Sequence, residues 1–302
     1  MTPTQSLFSG LALEVSENTP LAPWTSVRVG GAAERLVRPR TVDALVELLR
    51  RMRESGVPLG VLGGGANTLV SDEGVPGVVV KLPSDMFPDD AVLGGDVVQL
   101  TFGAGTPIAK LIVAMKRHQT VGAEFLAGIP GTLGGAVRMN AGTKMGECMS
   151  VVEAIEVATA DGAGFLPRST LSVAYRQTQL PAGAVVTRVR FRLPKGDLAH
   201  SQKVMDEDLA YRKRTQPLSQ PNFGSVFTNP PGDHAGRLIE AAGLKGTMEG
   251  KAQVSTLHAN WIVNLGGAQA RDIGLLMNKM QAGVRDKFGV ALHPEVQRLG
   301  RH

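Results

Sequence analysis

The sequence predicts an α+β (α/β-like) fold, and three observations carry that reading. Between residues 41 and 82 a helical pattern of apolar side chains gives way to strand, glycine loop and strand. Residues 151–158 and 185–193 alternate apolar with polar side chains, the two-residue period of half-buried strands. Two longer helical patterns follow, at 198–214 and 268–288.

Taken in order, residues 1–20 read as a loosely held leader, and Thr25–Ala33 as a strand running into Gly30-Gly31. Val42, Leu45, Val46, Leu49 and Met52 then recur at helical spacing; Thr41 can cap that helix and Gly56 can stop it. The apolar run Val57–Leu62 reads as a buried strand ending in Gly63-Gly64-Gly65, with Ala66, Asn67 and Thr68 behind it. Three successive glycines remove the Cβ atoms that would hold backbone N–H groups away from a bulky anion, and such amides can form a nest for phosphate oxygens. A glycine triplet alone reads equally well as a flexible joint. No Gly-Lys-Ser/Thr follows it, and the Gly-x-Gly-x-x-Gly spacing is absent.

A strand is predicted at Val78–Leu82, and two more around Gly94-Gly95. Thr106-Pro107 should open a helix, with Thr106 as cap and Ile108, Leu111, Ile112 and Met115 as its buried stripe. The next stretch, Gly122 to Gly142, interleaves glycines at 122, 128, 131, 134, 135 and 142 with apolar residues. That pattern suits backbone laid against a flat ligand, or a buried crossover without one. Lys195-Gly196-Asp197 reads as a domain boundary. Beyond it come a compact turn at 222–231, a short helix at 235–242, a strand at 260–265, and a last strand from Val290 to Gln297 interrupted by Pro294.

Composition narrows the function classes. The 302 residues are 43% hydrophobic and 20% charged, which suits two or three globular domains. One cysteine, Cys148, excludes an intrachain disulfide and a thiolate metal site, and the six histidines lack ligand spacing, so no metal is expected. No stretch approaches the roughly 18 apolar residues that span a bilayer. With no signal-peptide pattern at its start, the chain reads as cytoplasmic, with no membrane partner. The net charge of +5 invites a nucleic-acid reading, but Arg188, Arg190 and Arg192 alternate with apolar residues, as on the wet face of a strand. Aromatics make up only 4%, too few to stack bases, so no nucleic acid is expected. The one basic cluster, Arg212-Lys213-Arg214, suits a small phosphorylated ligand.

Several of these stretches together resemble one family, the UDP-N-acetylenolpyruvoylglucosamine reductases (MurB). The matching pieces are Thr25–Gly31, the Gly63–Asn67 loop, Gly128–Ala136 leading to Asn140–Gly142, Tyr175-Arg176, Gly224–Pro230, Ala241–Gly246 and Pro294–Val296. In register they cover nearly everything from residue 24 to 300. The resemblance implies an FAD-binding fold of the vanillyl-alcohol oxidase/PCMH type. Its two subdomains would be residues 21–83 and 84–196, followed by an α/β substrate domain at 197–302 whose last strand brings Glu295 to the active site. It implies non-covalent FAD, held by Gly63, Gly64, Gly65, Ala66, Asn67, Thr68, Ile129, Gly131, Gly134, Gly135, Asn140 and Gly142. NADPH would reduce the flavin, which would then saturate the enolpyruvyl group of a UDP-sugar to give UDP-N-acetylmuramate for peptidoglycan. Matching positions make Arg176, Ser225 and Glu295 catalytic: Arg176 and Glu295 stabilise the enolate, and Ser225 delivers the proton. Tyr175, Arg212, Arg214 and Asn229 would bind substrate, and a monomer is expected.

The chain also departs from the family pattern. Ala66 stands where relatives usually carry serine, and Thr215 and Thr228 where many carry lysine, so Arg212 or Arg214 would have to meet the substrate diphosphate. Only 49 positions separate Arg176 from Ser225, too few for the extra tyrosine loop of the longer subtype, so the shorter subtype is expected. The main alternative is another FAD oxidoreductase of the same fold acting on a different substrate.

Overall fold

The computed structural model describes residues 7–301. In chain order the first strands are β1 (Leu13–Pro20), β2 (Ala32–Pro39), β3 (Leu59–Val61), β4 (Thr68–Val70), β5 (Val75–Val80), β6 (Asp90–Gly94) and β7 (Val97–Gly103). The middle of the chain adds β8 (Gly142–Thr143), β9 (Gly146–Glu147), β10 (Val152–Thr159), β11 (Gly162–Pro167), β12 (Val173–Ala174), β13 (Gln177–Thr178) and β14 (Val185–Pro194). Last come β15 (Asn222–Ser225), β16 (Met248–Glu249), β17 (Ala252–Val254), β18 (Trp261–Asn264) and β19 (Gln297–Leu299). The helices are α1 (Val42–Ser55), α2 (Ile108–Arg117), α3 (Leu133–Arg138), α4 (Leu198–Thr215), α5 (Ala235–Ala241) and α6 (Ala270–Phe288).

The chain divides into two compact units. Of the described residues, the first comprises 7–16, 35–64 and 77–209; the second comprises 17–34, 65–76 and 210–301. The division passes through β1, β2, β5 and α4, and between Gly64 and Gly65 of the glycine loop.

Two cores fill the first unit. One lies under a sheet ordered β1-β2-β5-β3, where Leu45, Leu48, Leu49 and Met52 of α1 bury against Val37, Val78 and Val80. The predicted ends of α1 hold: Thr41 Oγ1 accepts the Ala44 N–H at 3.1 Å, and Gly56 closes the helix at φ +66°. The other core packs α2 and α3 with the antiparallel sheet β11-β10-β14-β7-β6. On β14 the apolar residues point inward while Arg188 and Arg190 are half-buried and Arg192 is exposed, as the alternation predicts. Arg188 donates to both oxygens of Glu156, at 2.8 and 2.5 Å, and Thr187 Oγ1 donates to Glu156 Oε2 at 2.7 Å.

The second unit packs α5 and α6 on the sheet β15-β18-β17-β16. Its other strand pair is parallel, β4 with β19, joining Thr68 to Gln297 and Val70 to Leu299. The start of α6 is held by Asp72, whose carboxylate accepts the Ala270 and Arg271 amides at 2.8 and 2.9 Å.

Several expectations change. Residues 13–20 are a strand rather than leader, and Leu7 is buried against the α1 core; residues 1–6 of that segment lie outside the described residues. Thr25–Gly31 is not a strand, because it presses onto the Val70–Asp72 turn. A Cβ on Gly30 would fall 2.4 Å from Val70 Cβ, and one on Gly31 2.4 Å from the Asp72 carbonyl. Thr106 does not cap α2: Pro107 is its N-cap residue, and Thr106 Oγ1 is buried without a partner. Residues 222–225 form β15 instead of belonging to a turn. The last strand starts only at Gln297, beyond Pro294, since proline cannot donate to a ladder. The two compact units part inside α4, whose hydrogen-bonded backbone continues through the division.

Candidate active site

The glycine loop is built for close approach of backbone. Gly64 faces the second glycine stretch: a Cβ there would lie 2.5 Å from Gly131 Cα, and one on Gly63 2.9 Å from Thr132 Oγ1. Lys81 Nζ donates to the Gly63 carbonyl at 2.5 Å. Burial holds the Lys81 ammonium below its ordinary pKa, and the neighbouring Arg38 charge adds to that effect. Gly65, at φ +66°, lies so close to the Trp24 carbonyl that a Cβ would sit 2.0 Å from its oxygen. Its own carbonyl accepts the Ser26 N–H at 3.0 Å.

The amides of Gly63, Gly64, Gly65, Ala66 and Asn67 donate to no protein acceptor among the described residues. Asn67 Oδ1 is likewise buried and unpartnered. Buried acceptors are ordinarily satisfied, so the orphaned Asn67 Oδ1 points to a polar ligand at the loop. A dinucleotide pyrophosphate is a chemical match, and these residues fit FAD. No histidine or cysteine lies in the loop to attach it covalently.

The other predicted cofactor positions divide. In the second stretch the Gly131, Thr132 and Gly135 amides have no backbone acceptor. Gly134 is committed to packing: its amide donates to the Ala104 carbonyl at 2.9 Å, and a Cβ would strike Ala104 Cβ at 2.8 Å. Ile129 is partly buried against the larger core of the first unit, and Thr68 is taken into β4. Asn140 is fully buried and its side chain is spent. Oδ1 accepts the Met149 N–H at 3.0 Å, while Nδ2 donates to Glu147 Oε2 at 2.7 Å and to the Ala174 carbonyl at 3.1 Å. It ties down the hairpin that carries Arg176.

That hairpin, β12–β13, has the two-residue loop Tyr175-Arg176. Arg176 adopts φ +58°, a conformation that L-residues other than Asn and Asp rarely take, so the surroundings must hold it there. Its Nη2 donates to the Gly142 carbonyl at 3.0 Å, and its guanidinium lies 4.9 Å from the centre of the exposed Tyr175 ring. Gly142 in turn allows β8 to meet β9, since a Cβ would fall 2.1 Å from the Gly146 carbonyl oxygen. Thr178 secures the hairpin to α3 through Val137, its Oγ1 donating to that carbonyl at 2.6 Å. Sequence reasoning missed Thr178 as an anchor; the polar residues flanking so short a loop were the available signal.

In the second unit Ser225 and Glu295 come together. Gly224, at φ +79°, sits in the register shift between Asn222 and Ser225, and Ser225 pairs with Trp261 across the sheet. One residue on, the Val226 carbonyl accepts the Glu295 N–H at 2.8 Å, and Phe227 bridges to Pro294. Asn67 joins the same group: its Nδ2 donates to the Glu295 carbonyl at 3.1 Å, and its carbonyl accepts the Gln297 N–H at 3.0 Å. Asn67 is thus hydrogen-bonded directly to the Glu295 backbone, and Ser225 is joined to it through its neighbour Val226. The predicted substrate residues are more dispersed. Arg212 is buried and Arg214 exposed in the last turn of α4, while Asn229 Oδ1 accepts the Ala235 N–H at the start of α5, which leaves only its amide donors for a ligand.

Known proteins match along the whole of this architecture. The model of an FAD-binding domain matches residues 33–164, and that of the UDP-N-acetylenolpyruvoylglucosamine reductase C-terminal domain matches residues 216–299. A flavin domain followed by a reductase domain defines an FAD-dependent oxidoreductase. A UDP-N-acetylenolpyruvoylglucosamine reductase of Myxococcus xanthus (strain DK1622) is 66% identical over 287 residues, covering 95% of this chain and 93% of the relative. Its counterpart in Anaeromyxobacter sp. (strain Fw109-5) is 56% identical, covering 95% and 89%. The crystal structure of the Thermus caldophilus reductase (MurB) superposes with a TM-score of 0.81 at 36% identity, covering 96% of this chain and 99% of that one. The chain belongs to the UDP-N-acetylenolpyruvoylglucosamine reductase (MurB) family. Among the described residues no helix is long and apolar enough to cross a membrane, and no cluster of His, Cys, Asp or Glu could hold a metal ion.

Proposed function

We propose that this chain uses NADPH to reduce the enolpyruvyl group of UDP-N-acetylglucosamine enolpyruvate to UDP-N-acetylmuramate, a cytoplasmic step of peptidoglycan synthesis. The observation that carries this reading is the linked trio of Asn67, Ser225 and Glu295, fastened through the Val226 carbonyl and the Asn67 amide. Bound FAD would supply the hydride, received from NADPH, to the terminal carbon of the enolpyruvyl group. The amides of residues 63–67, with Gly131, Thr132 and Gly135, would hold it.

The chain's own residues would do the rest. The Arg176 guanidinium, oriented by the Gly142 carbonyl and the Tyr175 ring, offers a planar fork to the substrate carboxylate and to the charge that spreads onto it as the enolate develops. Ser225 Oγ, which hydrogen-bonds to no protein group among the described residues, would give its proton to the second carbon. Glu295 would stabilise the enolic form by hydrogen bonding. Arg212 and Arg214 would meet the diphosphate, in the role that lysine at position 215 fills in many relatives.

Ser225→Ala tests the assignment. In anaerobic stopped-flow, NADPH should reduce the flavin at the wild-type rate. Reoxidation by the enolpyruvyl nucleotide sugar should slow by about 10²–10⁴-fold, the usual worth of a general acid. Equal damage to both half-reactions would remove Ser225 from the role. Failure of the wild-type enzyme to consume NADPH under argon with this substrate would favour a different substrate on the same fold.

A further inference from the structure

We infer that Asn260 is a positioning residue that fixes the spacing between Ser225 and Glu295, an inference that rests on the reaction proposed above. Asn260 lies just before β18 and is buried, at 3% exposure. Its Oδ1 accepts the Phe227 N–H at 3.1 Å and its Nδ2 donates to the Phe227 carbonyl at 2.8 Å, so one side chain reads both polar groups of a single residue. Its own carbonyl accepts the Val226 N–H at 2.9 Å.

The opposite edge of the same strip is bound to the segment that carries Glu295. Val226 C=O accepts from Glu295 N–H at 2.8 Å, and Thr228 N–H donates to the His293 carbonyl at 3.0 Å. Residues 226–228 are therefore a narrow ribbon, with Asn260 along one side and residues 293–295 along the other. The ribbon needs this hold because the β15–β18 ladder is broken at the point where it begins. The register shifts between Asn222 and Ser225, and Gly224 takes φ +79°. Past that irregularity the side-chain amide of Asn260 substitutes for a strand partner. Without it the ribbon keeps its bonds to residues 293–295 but can tilt about them, which shifts Ser225 relative to Glu295 although neither side chain is altered. Asn260 touches no reacting atom in this account; it acts through the backbone of Val226 and Phe227. A misplacement on the order of 1 Å at a reacting group can cost about 10²-fold in rate.

The experiment compares Asn260→Ala, Ser225→Ala and the double variant as FAD-loaded enzymes. For Asn260→Ala the expected result is flavin reduction by NADPH within about twofold of wild type, with reoxidation by the enolpyruvyl nucleotide sugar slowed by about 10²-fold. In the Ser225→Ala background the same change should slow reoxidation no further, because residues acting as one unit are non-additive. Equal loss in both half-reactions, or a full further loss in the double variant, would show a general structural role and overturn the inference. If Asn260→Ala does not fold, Asn260→Asp serves instead with the same readouts: it keeps the acceptor for Phe227 N–H and deletes the donor to Phe227 C=O. The two readings fail separately. A wild-type enzyme that does not turn over the sugar removes the reaction and this inference with it. A wild-type enzyme that does, with Ser225→Ala impaired and Asn260→Ala unimpaired, removes only the inference.

Discussion

Replacing Gly64 with alanine should weaken FAD binding, and the size of the effect follows from local geometry. The added Cβ would lie 2.5 Å from Gly131 Cα, 3.0 Å from the Gly131 carbonyl carbon and 3.1 Å from the Thr132 amide nitrogen. Carbon atoms in contact rest at about 3.5 Å or more, so the two backbone segments must part by about 1 Å. All three obstructing atoms are main chain, and no side-chain rotation relieves the overlap. Overpacking of this kind costs about 1–3 kcal/mol, which corresponds to a 5- to 150-fold change in an equilibrium constant. Part of that cost should appear as a lower Tm. The remainder should appear as a higher FAD Kd, because the displaced backbone is the one whose amides await the cofactor. Titration of apo-protein with FAD, followed by flavin fluorescence, reads the second term and thermal unfolding the first. Gly164→Ala is the control, since nothing lies within 4 Å of a Cβ there. A Gly64→Ala protein that purifies yellow with wild-type Kd and wild-type Tm would refute the reasoning.

Three further outcomes are expected. Burial pushes the Glu156 carboxyl up, but the hydrogen bonds from Arg188 and Thr187 outweigh it and hold its pKa below the ordinary carboxylate value. Its contribution to stability is therefore complete above that ordinary value and is lost as pH falls through the lowered one; Glu156→Gln should flatten the acid limb of a Tm-versus-pH curve. Asp72→Ala removes two charge-assisted bonds from the first turn of α6 and should cost about 2–4 kcal/mol by urea unfolding. Burial pushes the Cys148 thiol up to about 12, so a thiol reagent at pH 8 should label the protein only after unfolding.

Much of this arrangement is written in local sequence. The Thr41 cap, the Gly56 stop and the arginine-bearing face of β14 were legible because each depends on neighbours a few residues away. What escaped was set by distant chain. The missing Cβ atoms of Gly134 and Gly142 make room for Ala104 and Gly146, which sequence spacing does not show. The Asn140 side chain bonds to Met149, Glu147 and the Ala174 carbonyl, and nothing in its own surroundings announces them. Residues 25–31 alternate like a strand but are bent onto the turn at 70–72 by two glycines whose purpose appears only in three dimensions.

The clasp between Asn67 and the Glu295 carbonyl closes a span of 228 positions, and the parallel pairing of β4 with β19 follows directly beside it. Contacts of such separation are entropically expensive and form late. During synthesis, the first unit has all its residues once position 209 has been made, whereas the flavin loop cannot be locked until positions 295 and 297 have left the ribosome. Nascent chains in that interval lack both the Asn67–Glu295 clasp and the β4–β19 pair.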